Sequence, residues 1–87
     1  MKNIRRVLEE AGFVIEIYTA DTYMKNMRVV GKKDNIYIVD VDYDSKEIGE
    51  EYHLCVNQEI NSKTIEIYQG FYGDTGKVCN IIEKLQK

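Results

Sequence analysis

Proline is absent from this chain, histidine occurs once and cysteine only twice. Without proline, an internal repeat or a low-complexity tract, the sequence offers no stiff linker and no hinge between units. Cys55 and Cys79 are too few for a disulfide scaffold. With His53 they supply three soft ligands, short of a four-ligand zinc set, so both thiols are expected free and no metal or cofactor is implied. No apolar run approaches the roughly 20 residues that a membrane-spanning helix needs. Glu9 and Glu10 fall where a secretory leader would carry its apolar core. The expected location is therefore cytoplasmic.

What is present suits a folded domain. An apolar fraction of 44% beside a charged fraction of 31% in 87 residues argues for one compact core spanning residues 1–87 and leaves no material for a second. The net charge of −3 is unevenly placed. Lys25, Arg28, Lys32 and Lys33 against Asp21 give residues 21–33 a charge of four less one, or +3. The seven acids of residues 34–51 against Lys46 give seven less one, or −6.

Hydrophobic spacing sets the elements. Ile4, Val7, Leu8 and Ala11 lie on one helical stripe, so a helix is expected over residues 2–11, closed by Gly12. From Phe13 the period becomes two, and strands are expected to begin near Phe13, Met24, Ile36, Tyr52 and Ile65. Thr75 reads as the N-cap of a closing helix with Val78, Ile81, Ile82 and Leu85 on its apolar stripe. The order α-β-β-β-β-β-α with short connections predicts an α+β fold: a five-stranded antiparallel meander sheet with both helices on one face. Alternation assigns Phe13, Ile15, Ile17, Val39, Val41, Leu54, Val56, Ile65 and Ile67 to the helices. It leaves Glu16, Tyr18, Ile36, Ile38, Asp40, Asp42, His53, Glu66 and Tyr68 on the open face.

Several motifs are partial. Asp40 to Glu51 places acids at loop positions 1, 3, 5 and 12 of a calcium-binding EF-hand, but Ser45 stands where that loop needs glycine and the segment enters from a strand. Asp34 with Asp44 and Lys46 has the residue types of a magnesium-dependent nuclease, past the apolar part of its strand. Gly73 to Lys77 opens a helix as a phosphate-binding loop does, yet Phe71 and Val78 occupy required glycine and hydroxyl positions. His53 and Cys55 share a strand face without a visible third catalytic group.

These readings favour binding over catalysis. Asp40, Asp42 and Asp44 repeat every second residue, so their carboxylates form a row at roughly 6.6 Å intervals. With Tyr43, Glu47, Glu50, Glu51, Tyr18 and Tyr68 they make the expected partner-binding surface of a non-enzymatic protein-binding module that meets a basic protein surface. Small size and acidity suit the inhibitors that phages and mobile elements direct at nucleic-acid-handling enzymes. The alternative is nucleic-acid binding by the basic arm over residues 25–33. A metal-dependent nuclease or a calcium-binding domain is the weaker reading, and homodimerisation through an edge strand or the open face is compatible with each.

Overall fold

A computed structural model describes residues 3–45 and 49–85. Helix α1 (Ile4–Glu10) begins where the Asn3 side chain accepts a hydrogen bond from the Arg6 amide at 3.2 Å. It ends as sequence spacing predicts: Gly12 takes φ +93°, a left-handed conformation that a side chain would oppose, and the Phe13 amide reaches back to the Leu8 carbonyl at 2.9 Å. Strands β1 (Val14–Asp21), β2 (Asn26–Lys33), β3 (Tyr37–Asp44), β4 (Tyr52–Ile60) and β5 (Lys63–Tyr72) follow, and helix α2 (Thr75–Lys84) closes the chain. The strands form one antiparallel sheet in the order β1-β2-β3-β4-β5, the expected meander.

Local chemistry places the turns. Asp21 accepts from the amides of Tyr23 and Met24, both at 3.0 Å, and thereby turns the chain between β1 and β2. Asp34 and Asn35, and later Asn61 and Ser62, have positive φ in the tight reversals after β2 and β4. The cap of α2 is Asp74, whose side chain accepts from the Gly76 amide at 2.8 Å. Thr75, expected as the cap, is instead the first helical residue, and its hydroxyl donates to the Tyr52 hydroxyl at 3.1 Å.

Both helices cover one face of the sheet. Val29, Val39, Val41, Leu54 and Val56 point from β2 to β4 into a core completed by Ile4, Val7, Leu8, Val78, Cys79 and Ile82. Phe13 lies directly over Gly31, where a Cβ would stand only 3.2 Å from its own, so a side chain there would have to push the Phe13 side chain aside by a few tenths of an ångström.

Two bulges change the faces that alternation assigns. In β1 the register slips between Ile15 and Ile17, with Glu16 as the extra residue. One inserted residue reverses every later side chain. Ile17, expected in the core, is opposite Val30 on the open face and 40% exposed, whereas Tyr18 turns to the helix side beneath the Arg5 guanidinium, 4.7 Å from its ring centre. The second slip lies between Val56 and Asn57, with Ile67 as the extra residue of β5. Tyr68 is thereby opposite Val56, on the helix side, and its hydroxyl meets that of Tyr72. Ile65 and Ile67 stay on the helix side as expected but are 49% and 46% exposed, because the helices do not reach the outer part of β5.

Candidate open-face binding site

Among the described residues no helix or strand covers the other face of the sheet. Its chemistry follows from the register. Arg28 on β2 is opposite Asp42, Asp40 is opposite Cys55, Asp42 is opposite His53, and His53 is opposite Phe71. Cross-strand neighbours on one face stand about 5 Å apart, so these groups interact directly.

The guanidinium of Arg28 is the centre of this face. It donates to both carboxylate oxygens of Asp40, through Nε at 3.4 Å and an Nη at 3.0 Å, and its Nε is 3.5 Å from Asp42. One cation thus serves two carboxylates. Partial burial pushes the Asp42 carboxyl above the usual carboxylate range, and the charge of Asp40 adds to that push against the opposing pull of Arg28 and His53.

The network continues across β4. His53 Nε2 lies 3.0 Å from Gln69 Oε1 and 3.4 Å from the Cys55 sulfur, while the ring of His53 stacks on Phe71 with centres 4.6 Å apart. The His–Cys proximity that a nucleophilic pair requires is therefore present. The electrostatics oppose activation, however: burial first, then Glu66, Asp40 and Asp42, push the Cys55 thiol up, the reverse of what a reactive thiolate needs.

The residues expected to meet a partner are distributed unequally. Asp40, Asp42 and Asp44 share the open face, Asp44 being opposite Asn26 at the end of β3. Together with Thr19 and Arg28, Asn26, Asp42 and Asp44 line an open depression there. Glu50 and Glu51 are exposed just before β4. Glu47 lies outside the described residues. Tyr43 is on the helix side against Tyr52, with ring centres 4.8 Å apart, and Tyr18 and Tyr68 also belong to that side. Sequence reasoning left Arg28 in a basic arm and did not pair it with the acidic row. Its even spacing with Val30 and Lys32 was the available signal, but the register that sets it against Asp40 and Asp42 is a tertiary fact.

That basic arm is largely occupied within the chain. Besides Arg28, Lys32 is 3.3 Å from Glu59, and the Lys33 ammonium donates to the Ala11 carbonyl at 2.8 Å beside the Phe13 ring. Asp34 lies in the turn before β3 and Asp44 is the last residue of that strand, whose length is roughly 23 Å by strand rise, so the two acids are not brought together; Lys46 lies outside the described residues. Asp40 and Asp42 are strand residues held by Arg28, residues 46–48 of the segment that matches a calcium loop lie outside the described residues, and among the described residues no three His, Cys, Asp or Glu side chains are grouped to hold a metal ion. No described helix is long and apolar enough to cross a membrane. Comparison with protein-family models, with curated proteins and with solved structures gave no match for this chain.

Proposed function

We propose that this chain is a non-enzymatic protein-binding domain whose uncovered sheet face, led by its acidic corner, docks on a basic protein surface. The observation that carries the reading is the charge on that face: Arg28 is shared between Asp40 and Asp42, Asp44 lies on the same face at the end of β3, and Glu50 and Glu51 are exposed just before β4. An uncovered sheet face with excess carboxylate, edged by the stacked His53 and Phe71, speeds encounter with a cationic partner and offers an aromatic contact once docked. Inhibition or regulation of a nucleic-acid-handling protein fits this chemistry, since such proteins carry basic grooves. The engaged state of Arg28, Lys32 and Lys33 favours this reading over direct nucleic-acid binding.

The test starts with affinity capture from the native host, using the whole chain as bait, and proceeds to titration of the purified partner. Reversal of the corner in D44K/E50K/E51K is expected to weaken binding at least tenfold, about 1.4 kcal/mol, while the domain stays folded. Raising salt from 50 to 300 mM is expected to weaken wild-type binding in the same direction. Equal affinity of the two proteins, or retention of labelled oligonucleotide in place of any protein, would overturn the proposal.

A further inference from the structure

The sheet has two edges, and they differ. At β1 the extra residue of the bulge is the acid Glu16, close to the start of the strand. β1 too exposes apolar side chains, Val14 at 70% and Ile17 at 40%, but its bulge lies off centre, so no register pairs the whole strand with its own copy face to face. At β5 the extra residue is the apolar Ile67, at the middle of a strand of 10 residues, and among the described residues no strand occupies its outer side. Ile65 and Ile67 are half exposed on the helix side of this strand, and Phe71, 53% exposed, lies on the other. Unpaired backbone and apolar side chains on both faces coincide there.

We propose that β5 pairs antiparallel with β5 of a second copy about a two-fold axis passing between Ile67 and Tyr68, joining two five-stranded sheets into one. The central bulge makes this register self-consistent. Side chains alternate up to Glu66, slip at Ile67 and alternate again from Tyr68, so the axis brings helix-side residues opposite helix-side residues along the whole strand. Ile65 meets Gly70 of the second copy, Thr64 meets its Phe71, and Ile67 meets its Tyr68. Charges agree as well: Glu66 meets an amide, Gln69, and Lys63 meets Tyr72, so no like charges are opposed. A strand joined to its own copy across a two-fold gives a closed dimer, whereas β5 joined to β1 of another copy gives a ring or an open fibre. The axis is perpendicular to the sheet, so the two open faces lie side by side and remain accessible. This inference is independent of the proposed partner, and failure of one leaves the other standing.

Light scattering during size exclusion of the whole chain is expected to give about twice the 10.2 kDa monomer mass. The substitutions Ile65→Lys and Ile67→Lys together are expected to weaken dimerisation at least tenfold, while Ile17→Lys on β1 leaves it intact. Hydrogen exchange of the unmutated chain provides a readout that needs no variant: amides of β5 exchange as slowly as those of β4 and slow further with rising protein concentration, whereas those of β1 do not change. A monomer at several hundred micromolar, a dimer that survives I65K/I67K, or equally fast exchange at both edges would overturn the proposal.

Discussion

The two faces of the sheet are built from the same strands in the same register, yet they are held by different forces. On the covered face Val29, Val39, Val41, Leu54 and Val56 are closed off by α1 and α2, and their stabilisation comes from apolar area removed from water. On the open face Arg28, Asp40, Asp42, His53 and Gln69 remain in contact with solvent, where ion pairs contribute little. Even there Val30 is only 7% exposed, closed over by its neighbours. The difference teaches that one face carries the fold, while the other is free to carry recognition without large loss of stability.

Substitutions on the two faces test this division. Leu54→Ala removes a fully buried side chain at the centre of the covered face and is expected to cost about 2–5 kcal/mol in chemical denaturation. A loss below about 1 kcal/mol would show that the helices do not seal this face. Arg28→Met, on the open side of β2, is expected to cost no more than about 1 kcal/mol, because its side chain is half exposed, and the loss shrinks at high salt.

A smaller effect is expected from Asp42→Asn, and its sign depends on pH. Because the folded-state pKa of Asp42 is raised, the folded protein binds its proton more tightly than the unfolded chain does. That contribution to stability is present below the unfolded carboxylate pKa and is lost as pH rises through the folded value. Asp42→Asn is therefore expected to flatten the decline in melting temperature from mildly acidic to neutral pH and to leave the variant at least as stable as the parent at pH 7. A variant that loses stability most at neutral pH would reverse the assignment. The least effect on the fold belongs to Glu66→Gln. With one of the charges that raise the Cys55 thiol removed, alkylation by iodoacetamide at pH 8 is expected to quicken about twofold with no change in melting temperature. An unchanged rate would mean that Glu66 does not act on this thiol, leaving burial and the two aspartates as the cause.

Much of this architecture was legible in the residues. Ile4, Val7, Leu8 and Ala11 mark α1, and Val39, Val41, Leu54 and Val56 mark the covered face, because helices and strands impose periods that side-chain polarity follows. The faces of Ile17, Tyr18 and Tyr68 were not legible. A bulge is an insertion in one strand relative to its neighbour, and a single strand read alone contains no neighbour. For the same reason the row of Asp40 and Asp42 was readable, but its counter-ion was not: Arg28 lies twelve residues before Asp40 and reaches it only through strand pairing.

The sequence by itself determined the element order, the meander and the apolar layer, since these follow from local periodicity, turn residues and short connections. Only the tertiary structure decided which carboxylates share a cation, which tyrosines turn to the helix side and where along each edge strand the bulge falls. Those outcomes depend on register and on the reach of two short helices, and both are set by contacts between segments distant in the chain.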